Sequence, residues 1–116
     1  MNPAYLVGIG GALGAMARYL VSGRVPEGRL PYGTLTVNVI GSFVLGALTF
    51  LGVSDDVMLL VGTGACGAFT TFSSFSVETS LLWERGHRTR AALNAGGNLL
   101  ACLAAIGLGW LVVSLL

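Results

Sequence analysis

The sequence contains no lysine and few charged residues of either sign. Six arginines and five acidic residues leave a formal net charge of +1, and charged side chains make up 9% of the 116 residues, against 54% that are hydrophobic. An ordinary soluble domain is about 25% charged, so too little polar surface is present to cover a water-soluble globule. The mean hydropathy of +0.83 therefore indicates an integral membrane protein.

Side chains that carry enzyme chemistry are equally scarce. The one histidine, His87, lies among arginines in a short polar stretch, and no Ser/His/Asp arrangement is visible. Cys66 and Cys102 lie in apolar segments without CxxC spacing, so we expect buried packing rather than a disulfide or a metal site. The small net charge also argues against a nucleic-acid footprint, which needs a clustered basic face. We expect neither an enzyme nor a nucleic-acid-binding protein.

Four apolar stretches are long enough to cross a bilayer, which takes about 20 residues. They run approximately over residues 4–21, 33–53, 57–83 and 91–116, separated by polar stretches rich in Gly, Pro or charge. No basic residue precedes the first stretch, so we expect a helix that stays rather than a signal peptide. The fold predicted is an all-α, multi-pass membrane protein with one four-helix transmembrane domain, residues 1–116, and no aqueous domain.

Most of the 18 glycines fall inside these stretches. Small residues let helix backbones approach closely in a bilayer, so we expect glycine faces to pack helices together. Such faces are Gly8, Gly10, Gly11 and Gly14 in the first stretch, and Gly41 and Gly46 in the second. Four short helices bury little on their own, so we expect at least a dimer.

The third stretch is unusually polar. Seven of the eleven residues from 70 to 80 are Ser or Thr, and Gly62, Gly64 and Gly67 come just before them. One hydroxyl can bond back to its own helix, but seven would cover every face, and the glycines weaken the helix. We expect this helix to break near the middle of the membrane, where non-helical backbone must be buried or line a polar cavity. An unbroken helix with hydroxyls packed internally is the alternative.

Further polar side chains lie at membrane depth: Arg18, Thr34, Asn38, Glu78, Asn94 and Asn98. Intramembrane ionisable groups are functional by default, although Arg18 can snorkel to the interface and Glu78 could simply reach water. Asn94, Asn98 and Cys102 recur every four residues and share one helix face. The asparagines either line a polar path or join helices. These features alone indicate a small oligomeric channel or transporter for something polar.

Three motifs carry a family resemblance. GGALGAMARY (10–19), GTLTVNVIGSFVLG (33–46) and GACGAFTTFSSF (64–75) closely resemble the signatures of the CrcB/Fluc fluoride channels, in the expected order. The resemblance implies a fluoride-selective channel that passively exports fluoride from the cytoplasm across the cell inner (plasma) membrane and so reduces fluoride toxicity. A small-multidrug-resistance-type exporter is the alternative, but its essential carboxylate in the first helix is missing. A non-transporting helper subunit of a membrane complex is a third possibility.

The resemblance also implies an architecture and a set of site residues. The family fold is an antiparallel dual-topology dimer of four-helix subunits with two pores at the interface, a third helix broken mid-membrane, and a structural sodium ion at the dimer interface. Main-chain carbonyls of Gly67 and Thr70 would bind the sodium. The fluoride pore would be lined by Asn38, Phe72, Phe75, Thr71, Thr34 and Asn98, with Arg18 and Glu78 at the vestibule or gate. On the fourth helix this chain departs from the family's hydroxyl-bearing polar track, since it has asparagines and Cys102.

The arginines raise a conflict about orientation. If the four spans hold, Arg24, Arg29, Arg85, Arg88 and Arg90 fall on one side of the membrane, while only Asp55 and Asp56 mark the other. The positive-inside rule then predicts one orientation with both termini outside, whereas an antiparallel homodimer needs two. The partner is therefore either a second copy of this chain, with the bias overridden, or an oppositely oriented homologue.

Overall fold

The computed structural model describes residues 1–116 as a bundle of four long helical spans, 49 × 31 × 20 Å in extent. In chain order the elements are α1 (Pro3–Arg24), α2 (Tyr32–Leu51), α3 (Asp55–Val57), a π-helical segment (Met58–Cys66), α4 (Gly67–Phe69), α5 (Ser73–Glu84) and α6 (Arg88–Ser114). The pieces from α3 to α5 together form the third span, Asp55–Glu84. All four spans are long and apolar enough to cross a membrane, which confirms the predicted all-α, four-span architecture.

Local signals in the sequence set the ends of the spans. The Asn2 side chain accepts a hydrogen bond from the Ala4 N–H at 2.9 Å, and Pro3 occupies the first helical position of α1. Gly52 and Gly86 end α2 and α5 with φ angles of +68° and +85°, a left-handed conformation that glycine adopts without steric cost. These short turns force consecutive spans to run antiparallel.

Glycine faces allow the closest helix contacts. α1 packs on the first half of the third span, and α2 packs on α6. Gly10 and Gly14 are buried, and a Cβ atom at either position would overlap the main-chain carbonyl of Leu60 or Ala65. Gly41 and Gly46 are also buried on α2. The prediction that these glycines pack helices is confirmed for the positions that face a neighbour, whereas Gly8 has open space beside it.

The third span is interrupted near its middle. Residues 70–72 are not helical, and Thr70 is extended with φ −81° and ψ 163°. The predicted break is therefore present, but it lies after the glycines. Gly62 and Gly64 remain in the π-helical segment, where both are buried and Gly64 packs against α1. Here glycine serves close packing, and the chain leaves the helix only where the hydroxyl-rich sequence begins.

Candidate functional site

Asn38 on α2 holds the non-helical backbone of the third span. Its Oδ1 accepts the Thr71 N–H at 2.7 Å, and its Nδ2 donates to the Thr71 carbonyl oxygen at 3.0 Å. The side-chain amide thus pairs with both main-chain groups of one residue, as a neighbouring backbone would. Because a main-chain polar group without a partner is costly in a bilayer, this pairing allows the helix to break at this point.

The hydrogen bonds continue from Asn38 through α6 and back to the third span. Asn38 Nδ2 also donates to Asn98 Oδ1 at 3.3 Å, and Asn98 Nδ2 donates to Asn94 Oδ1 at 3.1 Å. Asn94 Nδ2 donates to Thr79 Oγ1 at 2.9 Å, and the Thr79 hydroxyl donates to the Phe75 carbonyl oxygen at 2.7 Å. We call these four side chains the amide relay. It joins the break at Thr71 to α5 through two other helices.

Beside the relay lies a cavity of about 600 Å³ that is open at the surface of the subunit. Five of the six predicted pore residues line it: Asn38, Thr71, Phe72, Phe75 and Asn98. The two phenyl rings have centroids 5.8 Å apart with a tilt of 42°, so an edge of one ring can face the cavity beside the other. Phe72 is 79% exposed. We call this space the phenyl cavity, and no charged side chain lines it.

A second cavity, of about 670 Å³, lies on the other side of Thr71. It contains the sixth predicted pore residue, Thr34, and the predicted vestibule residues Arg18 and Glu78. Three more charged side chains line it: Glu27, Arg29 and Arg85. We call it the arginine cavity. Residues of the first loop and Arg85 near the third loop line the same space, so both basic loops lie at one end of the bundle.

Glu78 is held inside the arginine cavity rather than at its rim. Its Oε1 accepts the Thr34 hydroxyl at 2.8 Å, whereas its buried Oε2 has no hydrogen-bond partner. The carboxylate therefore has one oxygen fixed by α2 and one oxygen still able to accept a donor. This placement was open from the sequence, which allowed Glu78 to reach water directly.

Thr71 is the residue that the two cavities share. Its hydroxyl accepts the Ser74 N–H at 3.1 Å and so satisfies an end group of α5. Its backbone is held by Asn38, as described above. The boundary between the charged and the uncharged cavity is therefore the break itself, and its position depends on one threonine and one asparagine.

Three of the seven clustered hydroxyls donate to the main chain of their own span. Thr70, Ser76 and Thr79 donate to carbonyl oxygens four residues earlier, at 2.7–3.0 Å. This is the internal satisfaction that the alternative reading of the sequence described, although the helix does break. Sequence analysis missed two hydroxyls that line the phenyl cavity, those of Ser42 and Thr63. The available signal was spacing, because Ser42 lies one turn after Asn38 on α2.

The break also leaves main-chain carbonyls available to a cation. In a continuous α-helix the Thr71 N–H would bond to the Gly67 carbonyl oxygen, but it bonds to Asn38 Oδ1 instead. The Thr70 carbonyl oxygen accepts no main-chain hydrogen bond. Gly67 and Thr70 both line the open phenyl cavity, and a hard cation prefers such oxygen ligands. The two positions thus fit the sodium ligands that the resemblance implies.

Both cysteines are free thiols, Cys66 buried and Cys102 half-buried. Both line the phenyl cavity. Cys102 therefore continues the polar face of α6 beyond Asn98, as the four-residue spacing predicted.

This chain is similar to known proteins over most of its length. The family model described as "CrcB-like protein, Camphor Resistance (CrcB)" matches residues 5–110. "Fluoride-specific ion channel FluC 2" of Haloarcula marismortui is 59% identical over 113 residues, which cover 97% of this chain and 95% of the relative. "Fluoride-specific ion channel FluC 1" of Halobacterium salinarum is 54% identical, with 97% and 94% covered. "Fluoride-specific ion channel FluC" of Methanocaldococcus jannaschii is 48% identical, with 90% and 88% covered. This chain belongs to the CrcB family.

Proposed function

We propose that this chain is a subunit of a fluoride-selective channel that passively exports fluoride from the cytoplasm. The chain is a multi-pass membrane protein, and its relatives are named as fluoride-specific channels, which are not enzymes. The single observation that carries the proposal is the phenyl cavity. It combines amide and hydroxyl donors with two phenyl rings, and it has no charged side chain.

The chemistry of this cavity suits a small, strongly hydrated anion. A selective pore must replace the water around the ion with donors and yet release the ion. Neutral amides and hydroxyls meet both needs, and the positive edges of phenyl rings add weak donation.

The arginine cavity serves as the vestibule of this path. Arg18, Arg29 and Arg85 line a concave space together with two carboxylates, Glu27 and Glu78. The three positive charges exceed the two negative ones, and such an excess in a cleft raises the local concentration of anions. Thr34 and Glu78 line the same space and are hydrogen-bonded to each other. An ion attracted by the arginines would then leave the charged space and meet the neutral donors at Thr71.

A second subunit is needed to complete the path. Phe72, Thr63 and Gly67 line the phenyl cavity and are exposed at membrane depth. Hydrocarbon cannot satisfy polar groups or non-helical backbone, so protein must cover this face. An antiparallel dimer would do so, and it would bring the Gly67 and Thr70 carbonyls of both subunits to one sodium ion. The charge of that ion would offset the cost of anions nearby.

The partner is either a second copy of this chain or an oppositely oriented homologue. Both basic loops lie at one end of the bundle, and this bias favours one orientation in the membrane. Expression of this chain alone, with a tag at the C-terminus, distinguishes the two. Tags on both sides of the membrane would support the homodimer, and tags on one side would require a homologue.

The physiology that we propose needs no energy coupling. Hydrogen fluoride crosses membranes as a neutral acid and dissociates in the less acidic cytoplasm. A negative-inside potential across the cell inner (plasma) membrane then drives the anion out through the channel, which lowers fluoride toxicity.

Ion efflux from liposomes tests the proposal. Vesicles with the purified chain are loaded with fluoride or with chloride, and release of each ion is followed with an ion-selective electrode. We expect rapid loss of fluoride and retention of chloride. Loss of both ions at similar rates would contradict selectivity. If neither ion is lost, efflux is measured again after co-reconstitution with an oppositely oriented homologue, and absence of fluoride loss there would overturn the proposal.

A further inference from the structure

The amide relay has a single polarity, and main-chain groups at its two ends fix that polarity. At one end the Phe75 carbonyl oxygen can only accept, so the Thr79 hydroxyl donates to it and is free to accept from Asn94. At the other end the Thr71 N–H can only donate, so Asn38 presents its oxygen there. Both ends therefore require the same orientation of donor and acceptor in each amide between them. Rotation of any amide by 180° would place donor against donor or acceptor against acceptor.

Asn94 takes part in this relay without access to either cavity. It is 3% exposed, and it lines neither the phenyl cavity nor the arginine cavity. Its Oδ1 accepts from Asn98, and its Nδ2 donates to Thr79. An ion in the path cannot touch Asn94, so any influence of this side chain on the ion must pass through Asn98 and Asn38.

Thr79, like Asn94, lines neither of the two large cavities. It lines a small surface cavity between α5 and α6 and neither of the two large ones. Its hydroxyl both receives the Asn94 donor and donates to the carbonyl of Phe75. Thr79 therefore links the last amide of the relay to the residue whose ring lines the phenyl cavity.

From this geometry we infer that Asn94 and Thr79 are positioning residues for the proposed pathway. Through Asn98 they orient the Asn38 amide, and the oriented amide holds the non-helical backbone of Thr71 between the two cavities. The inference rests on the proposed function as far as ion flow is concerned. The placement of the Thr71 backbone can be measured without any fluoride, so the two claims can fail separately.

Two substitutions remove the relay at different links. Asn94→Leu replaces the amide with an apolar side chain of similar size and removes the side-chain acceptor of Asn98, which then keeps only the main-chain carbonyl oxygen of residue 94. Thr79→Val keeps the shape of threonine and deprives Asn94 of its acceptor, while Thr79→Ser keeps the hydroxyl and should restore the relay. Ser76→Ala is the matched control, because Ser76 on the same helix also donates to a carbonyl four residues earlier and lies outside the relay.

Two readouts are taken on each variant in the assembled protein. One is fluoride efflux from liposomes, and the other is hydrogen exchange of the Thr71 amide, resolved by NMR in lipid nanodiscs. For Asn94→Leu we expect efflux to fall by about tenfold and exchange to rise by about tenfold, the size expected when one buried hydrogen bond is lost. Thr79→Val should show changes of about threefold in the same directions, and Thr79→Ser and Ser76→Ala should match the parent.

The combinations of results are decisive. Slower efflux together with faster Thr71 exchange supports the inference, and recovery of both in Thr79→Ser excludes a general loss of packing. Slower fluoride efflux with unchanged Thr71 exchange overturns the inference, and so does faster Thr71 exchange with unchanged fluoride efflux. If Asn94→Leu does not fold, Thr79→Val against Thr79→Ser decides by the same criteria. If the parent conducts no fluoride either alone or with an oppositely oriented homologue, the proposed function fails, and unchanged exchange in both variants would overturn the relay as well.

Discussion

The two cavities on either side of Thr71 are similar in size and opposite in chemistry. The arginine cavity contains three arginines and two glutamates, one of which, Glu78, is held by Thr34. The phenyl cavity contains asparagines, hydroxyls and two phenyl rings, and no charge. The arginine cavity has a volume of about 670 Å³ and the phenyl cavity one of about 600 Å³, so size does not distinguish their roles. The difference lies in how strongly each can hold an anion.

In our proposal the charged cavity attracts anions and the neutral cavity lets them pass. Charged side chains act over a distance of about 10 Å at moderate ionic strength and can gather anions, but they would bind a desolvated ion too tightly for release. Neutral donors act only at contact, and they can exchange one ion for the next. The break at Thr71 lies where one kind of environment gives way to the other. If this account holds, substitutions in the two cavities should differ in size of effect and in dependence on salt.

The largest effect is expected from Asn38→Asp. The carboxylate could still accept the Thr71 N–H, but its second oxygen would face the Thr71 carbonyl and Asn98 Oδ1, where the amide now donates. It would also place a negative charge in the proposed path. We expect no measurable fluoride efflux from liposomes, with assembly checked by gel filtration. Thr49→Val, on the same helix and bonded only to the Leu45 carbonyl, is the control. Normal efflux in Asn38→Asp would remove Asn38 from the path.

A smaller but still large effect is expected from Phe75→Ile. The substitution removes one ring of the tilted pair with Phe72 and with it the edge that can face an anion. We expect fluoride efflux to fall by about tenfold, the scale of one lost favourable contact of about 1.4 kcal/mol, while assembly is retained. Phe50→Ile on the exposed face of α2 is the control. Unchanged efflux in Phe75→Ile would assign this ring to packing alone.

The smallest effect is expected from Arg18→Gln. It removes one of the three arginine charges from the arginine cavity and leaves the neutral donors untouched. We expect efflux to fall by about threefold at low ionic strength and to approach the parent at high salt, because long-range attraction is screened. Arg24→Gln, at the end of α1 and outside both cavities, is the control. A large loss that does not depend on salt would show that Arg18 contacts the ion directly.

The number of spans and the presence of a break followed from the sequence. Hydropathy set the four spans, because each apolar stretch has the length of a bilayer crossing. The dense hydroxyls of residues 70–80 indicated a break, since so many cannot all face lipid. The family motifs also grouped Asn38, Phe72 and Phe75, which the structure places in one cavity.

The position of the break and the roles of the asparagines could not be read in the same way. Local propensity pointed to Gly62 and Gly64, but their lack of side chains serves close packing, of Gly64 against α1 and of Gly62 against Met58 and Leu45. The residue that stabilises the break is Asn38, which lies 33 positions earlier in the chain. Likewise, the spacing of Asn94 and Asn98 put both on one face, but it could not tell that Asn98 lines a cavity and Asn94 does not. Such differences depend on the packing of α2 and α6, which no local pattern encodes.

The most direct test of the central claim is the reversal potential of the reconstituted protein in a planar bilayer. Fluoride is set at a tenfold gradient, and chloride at an equal and opposite one. A passive fluoride-selective path predicts a reversal potential of about 59 mV in magnitude with the sign of the fluoride gradient. A potential near zero, or one with the sign of the chloride gradient, would contradict the account.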